Sequence, residues 1–192
     1  MINRELLSKE WSSNDNYKIV ETGSRTGRAL IFPSSNALYF PDTEAELSRT
    51  VESGYFEYVK TTDSKRIKEY YEKIIFIRDI FKKWYVTGIN GEINSIDKIL
   101  EFLIAETAGY KVSVCGNSAG GYIAYIIGIS LNAERIINVS GQFTVVPQIK
   151  PGNLLDEYKE DYNYSKYYDL SKLSGDLGGG YLPLFCRHES IY

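Results

Sequence analysis

The chain has 192 residues, 43% of them hydrophobic and 14% aromatic, enough for one substantial core and short for two ordinary domains. A formal net charge of -3, with basic residues spread along the chain, lacks the electrostatic footprint of a nucleic-acid binder. One histidine and two distant cysteines, Cys115 and Cys186, offer no metal-ligand spacing, so neither a metal nor another cofactor is expected.

Residues 1–16 are polar and read as a loose N-terminus. Their charges sit where a signal peptide needs its apolar core, and both cysteines lie in apolar runs where thiols pack as small hydrophobes, so a reducing, cytoplasmic setting is expected. Residues 17–22 alternate as a strand does, and a turn cluster rich in Gly and Ser follows. Residues 28–32 read as a buried strand that runs into Pro33-Ser34-Ser35-Asn36.

Residues 42–52 carry Leu47 and Val51 at helical spacing, 55–60 read as a further strand, and 63–72 as a charged helix. Lys73-Ile74-Ile75-Phe76-Ile77 is a short apolar run that suits a buried parallel strand and ends in Arg78-Asp79. Residues at the carboxyl end of such a strand face the ligand crevice, although an ion pair or a turn cap is the commoner fate of such a pair. The irregular stretch 81–88 is aromatic. Asn94-Ser95 then supply capping chemistry for a helix whose apolar face is Ile96, Ile99, Leu100, Leu103 and Ile104, with Gly109 at its end.

Val112 to Leu131 carries no charge and has the length of a membrane span. Gly116, Asn117, Ser118, Gly120 and Gly121, clustered in its first half, divide it instead into a strand and a helix, so no membrane span is expected. That division is Gly116-Asn117-Ser118-Ala119-Gly120, a Gly-x-Ser-x-Gly between an apolar strand and an apolar helix. A serine at the tip of so sharp a turn needs neighbours without side chains two positions away on either side, or strand and helix collide. Gly116 and Gly120 meet that need. The turn lifts the Ser118 hydroxyl clear of the sheet and puts the Ala119 N–H at a helix N-terminus, where it can stabilise a developing oxyanion. Ser118 is thus the candidate nucleophile.

Residues 135–140 form the next strand, and the alternation of strands with helices implies right-handed crossovers and a parallel sheet. From 151 to 169 the chain is polar and rich in Tyr, which suits a lid, a sugar-binding surface or an extended surface segment. A glycine-rich turn over 175–180 leads to a last strand at 181–186, whose edge would be exposed and open to self-association.

These residues together resemble the α/β-hydrolase superfamily, most clearly over 73–143 and more faintly over 28–36. Ile74-Ile75-Phe76-Ile77-Arg78-Asp79, Trp84-Tyr85 and Gly116 to Gly121 are similar to a group of hydrolase-like proteins encoded in bacterial capsule and surface-polysaccharide gene clusters. The resemblance implies a three-layer α/β-hydrolase-like fold with a mostly parallel central sheet, Ser118 as nucleophile, and an oxyanion hole made of the Ala119 N–H and a donor near Ser34 or Ser35. It also implies a small-molecule or glycan ester as substrate.

The superfamily places an acid and then a histidine after the serine. Here the sole histidine is His188, just past the last strand, where the acid usually stands. Three explanations stand. The chain is a shortened member without its last strand and helix; or His188 is the base, oriented by Asp169 or Asp156; or the fold is kept for binding rather than catalysis. The expected activity is a serine esterase or acyl transferase acting on an ester or acylated sugar; the alternative is a catalytically impaired protein with a binding or assembly role.

Overall fold

A computed structural model describes residues 4–173. The expected strand at 181–186, Cys186 and His188 lie outside the described residues. Within them the order is α1 (Arg4–Trp11), β1 (Tyr17–Glu21), β2 (Arg28–Pro33), α2 (Glu44–Glu52), a 3-10 turn (Val59–Asp63), α3 (Lys65–Tyr70), β3 (Lys73–Ile77), α4 (Ile96–Glu106), β4 (Lys111–Asn117), α5 (Ala119–Ser130), β5 (Arg135–Val139), a second 3-10 turn (Val146–Gln148) and the short α6 (Leu154–Glu157) and α7 (Tyr162–Ser165).

The strands make one five-stranded sheet in the order β1-β3-β2-β4-β5. β2 pairs in parallel with β3 and β4, β4 pairs in parallel with β5, and β1 runs antiparallel on the outer side of β3. The class is therefore α/β with a mostly parallel sheet. Strand period places Ile31, Ile75, Ile77, Val112 and Val114 on one face, against Ile96, Ile99 and Leu103 of α4 and the apolar α5. Leu30, Phe32, Ile74 and Phe76 point to the other face, where Phe56, Tyr58, Val59, Ile67 and Tyr71 cover them. Both faces of the central strands are buried, as parallel sheets require.

α4 starts where the Ser95 hydroxyl accepts the Lys98 N–H at 3.2 Å, and it ends before Gly109, whose φ of 83° suits glycine. Ile96, Ile99 and Leu103 are shut away from water, each worth about 2 kcal/mol. Ile104, expected on the same face, is 52% exposed: it sits at the margin of the stripe and turns outward. α5 is buried from Ala119 to Gly128, as its uniform apolarity suggests.

Two segments differ from the sequence expectation. Residues 55–60 form no strand, because Tyr58 has a φ of 64° and its ring stacks on Phe32 at 5.2 Å, so this aromatic run covers the sheet instead of extending it. Part of the stretch expected to be loose is α1, whose Leu6 and Leu7 pack on Leu38, Tyr39 and Leu47.

The Tyr-rich region packs on the α5 side of the sheet. Leu155, Tyr167, Tyr168 and Leu170 join that core, the Tyr122 hydroxyl donates to the Tyr167 carbonyl at 2.5 Å, and Lys166 reaches Asp97 of α4 at 2.7 Å. Tyr162, at 75% exposure, stays outside. Among the described residues no helix is long and apolar enough to cross a membrane; the uncharged run 112–131 is divided between β4 and α5.

Candidate functional site

Ser118 caps α5 with φ 52° and ψ -120°, a positive-φ conformation that residues with side chains rarely adopt. Its N–H donates to the Val139 carbonyl at 2.9 Å, and its carbonyl accepts the Tyr122 N–H at 3.0 Å, so the strained residue is fixed from both sides. The flanking glycines show why the turn can form. A Cβ on Gly116 would lie 2.1 Å from the Gly120 carbonyl oxygen, and one on Gly120 would lie 2.3 Å from the Pro33 oxygen and 3.0 Å from that of Ser34. Gly121 and Gly141 are pressed in the same way on Asn138, whose side-chain oxygen accepts the Gly141 N–H at 2.8 Å. The carboxyl ends of β2, β4 and β5 thus close around the first turn of α5.

Ser118 and Ala119 therefore sit beside the Ser34-Ser35 turn. Ala119 is the first residue of α5, so its N–H has no acceptor within the helix and lies at the positive end of the helix dipole. The two serines of the β2 loop are differently placed. The Ser34 N–H continues the sheet by donating to the Ile77 carbonyl at 2.9 Å, its carbonyl accepts the Tyr85 hydroxyl at 2.7 Å, and its own hydroxyl is buried without a partner among the described residues. The Ser35 N–H and hydroxyl both go to Glu57, at 2.5 and 2.8 Å. Of the four residues Ser118, Ala119, Ser34 and Ser35, the structure gathers all at one end of the sheet.

The Ser118 hydroxyl has no hydrogen-bond partner among the described residues. Asp156 is held by Lys159 at 2.8 Å and by the Gly152 N–H at 3.0 Å, and Asp169 by Ser171 and Lys172. Hydrogen bonds from these neighbours keep both carboxyls below the usual range: the Lys159 side chain first for Asp156, the Ser171 hydroxyl first for Asp169.

The loop after β3 packs beside the Ser34 turn through Tyr85. Asp79 is buried, and its carboxylate accepts the N–H groups of Phe81, Lys83 and Tyr85 at 2.9, 2.6 and 2.9 Å. This is the cap role that Asx chemistry favours. The loop holds three non-glycine residues with positive φ, Lys82, Trp84 and Tyr85, the kind of strain that persists only where the surroundings over-determine it. Burial pushes the Asp79 carboxyl up against the downward pull of its three N–H donors. Burial, then Asp79 and Glu57, drives the Tyr85 phenol far above its ordinary value, so it stays a neutral donor to Ser34. Arg78, the neighbour of Asp79, turns away to Asn16, Thr50 and Tyr55 and lies over the Phe56 ring at 4.7 Å.

Glu57 carries no sequence signal that marks it: it stands in an aromatic run with strand-like alternation, and only the fold brings it to Ser35. Tyr85, which the resemblance includes with Trp84, reaches Ser34 through its hydroxyl.

Comparison with protein-family models finds none that matches the chain, and comparison with curated proteins finds no match.

Proposed function

We propose that the protein is an α/β-hydrolase-like serine esterase or acyl transferase. The observation that carries this reading is the backbone of Ser118 at φ 52° and ψ -120°, between a parallel strand and a buried helix and flanked by glycines with no room for a side chain. Strain of this kind costs on the order of 1–3 kcal/mol and clusters at functional sites. The sheet order, with an antiparallel β1 outside β3 and the serine turn after β4, supports the same fold family.

In the reaction, the Ser118 oxygen attacks an acyl carbonyl and the carbonyl oxygen becomes an oxyanion facing the Ala119 N–H. Collapse of that adduct expels the alcohol, which leaves with a proton, and the acyl group stays on Ser118. Water then yields the acid, or a sugar hydroxyl takes the acyl group. The resemblance to surface-polysaccharide cluster proteins makes an acylated glycan the substrate class to test first, and a cytoplasmic setting goes with it. The sole histidine, His188, is the candidate base for these proton transfers, with Asp169 or Asp156 to orient it, and it lies outside the described residues; in a shortened member of the superfamily the base is missing.

A second reading, a hydrolase-like protein kept for binding or assembly, is favoured by one observation: the Ser35 N–H is already taken by Glu57. A fluorophosphonate probe separates the two. Labelling of the native protein that vanishes in Ser118→Ala supports an activated serine; a folded protein that takes no label rules out the enzyme.

A further inference from the structure

Glu57 is half-buried and reaches Ser35 with both carboxylate oxygens, Oε2 to the backbone N–H at 2.5 Å and Oε1 to the hydroxyl at 2.8 Å. Among the described residues no Lys or Arg pairs with it. A carboxylate removed from water without a cation is costly unless hydrogen bonds compensate it, and here one residue supplies them. The segment that carries it is firmly held on both sides: Phe56 is buried against Phe76, and Tyr58, at φ 64°, is stacked on Phe32. Next to this pair Ser34 is buried at 2% exposure, and its hydroxyl has no partner among the described residues. The hydroxyl oxygen is one of seven buried side-chain polar atoms without a partner among the described residues, and it is the one that adjoins the Glu57–Ser35 contact.

The Ser34 hydroxyl, the Ser35 hydroxyl and the Ser35 N–H are three donors on one turn, and the backbone leading into that turn meets the first turn of α5 through the Pro33 and Ser34 carbonyls. Two of the three are occupied by the two carboxylate oxygens of Glu57, which the chain itself provides. We propose that Glu57 is the internal occupant of the Ser35 donors in the free protein and has to leave them before the oxyanion of an acyl-transfer adduct can take its place. This rests on the serine esterase reading and adds to it a named occupant and a displacement step. Binding moves Glu57 off Ser35 into water. No bond is made or broken in that step, and one acceptor replaces another on the same donors. The presence of Glu57 also sets a preference: while it stays in place, its charge repels an incoming anion and makes adduct formation slower than an open site allows.

The test uses an uncharged fluorophosphonate, whose phosphonyl oxygen stands in for the oxyanion, on the full chain and on Glu57→Ala, Glu57→Gln and Ser118→Ala. Glu57→Ala is expected to take label about tenfold faster than the native protein, as the loss of a charge-assisted contact worth about 1.5 kcal/mol implies, with Glu57→Gln between them. The Ser35 amide, followed by NMR, is expected to differ between free native protein and free Glu57→Ala, and to coincide in their phosphonylated forms once the phosphonyl oxygen has replaced Glu57. A native protein that labels at Ser118 while its Ser35 amide signal stays unmoved, or Glu57 variants that label no faster, overturns this displacement and leaves the esterase reading standing. A folded chain that labels in no variant removes both. Glu57→Gln, which keeps the side-chain shape, decides the matter if Glu57→Ala fails to fold.

Discussion

The indole N–H of Trp84 donates to the side-chain oxygen of Gln142 at 3.2 Å, joining the loop that leaves β3 to the loop that leaves β5. In the sheet, β2 and β4 lie between those strands, so the bond spans the end of the sheet from which Ser118 rises. Trp84→Phe keeps a ring and removes the donor. It is expected to cost about 1 kcal/mol in urea unfolding and to speed amide exchange in both loops together. Faster exchange in one loop alone would show that the bond does not couple them.

Gly120→Ala tests the closeness of β2 to the serine turn. The added methyl meets the carbonyl oxygens of Pro33 and Ser34, which are backbone atoms fixed by the sheet and cannot rotate aside as a side chain would. The variant is expected to lose about 3 kcal/mol of stability, with Gly116→Ala at least as severe. Thermal unfolding of each against the native chain reads this directly.

Asp79 carries a pH signature. Burial raises its folded-state carboxyl above the ordinary value of 3.8, so the folded protein keeps this proton to higher pH than the unfolded chain. The associated stability is complete below that ordinary value and declines as pH rises through the folded value. Asp79→Asn has no such slope, and it also leaves one loop N–H unmatched, at a cost of about 2 kcal/mol. Its penalty should therefore be largest near about pH 4 and shrink toward about pH 8 in urea titrations. A constant penalty would contradict the raised carboxyl.

Arg78 is a buried cation that binds carbonyls. Its Nε donates to Asn16 at 3.1 Å, and its Nη1 donates to the Tyr55 carbonyl at 2.9 Å and more weakly to Thr50. Burial holds its pKa below the usual arginine range. Arg78→Met removes the charge but orphans those oxygens, and an unfolding free energy lower by about 3 kcal/mol is expected. Because Tyr55 and Phe56 adjoin Glu57, the same variant should also loosen the Ser35 contact, seen as loss of protection at the Ser35 amide.

Burial pushes the Cys115 thiol above its ordinary value, and the residue packs against the core that holds Phe32 and Phe76. In a Cys186→Ser background, alkylation of Cys115 near neutral pH should be at least about tenfold slower than in the urea-unfolded chain. Equal rates would mean that the β4 face beneath the serine turn is open.

Much of the architecture is legible from the residues themselves. β2, β3 and β4 are continuous apolar runs because both of their faces are buried, and the glycines around Ser118 announce a turn that only glycine permits. Residues 55–60 mislead because Tyr, Phe and Val serve a packed cover as well as they serve a strand, and no local pattern encodes the positive φ of Tyr58. α1 escapes notice because its two leucines find their partners in Leu38 and Leu47, far along the chain. The strand-to-helix turn at Ser118 and Ala119 follows from the flanking glycines, and the turn at Ser34 and Ser35 from its turn-forming residues. Glu57 does not, since its role depends on a contact made only after the segment has folded back over the sheet.

β2 stands in the middle of the sheet, yet its partners β3 and β4 are made much later in the chain. As the polypeptide leaves the ribosome, Ala29, Leu30, Ile31 and Phe32 wait with unpaired edges and bare apolar faces until those strands arrive. The native sheet cannot be built progressively from its first strands. A nascent chain halted before β4 should therefore be the species that chaperones recognise and that aggregates when they are scarce.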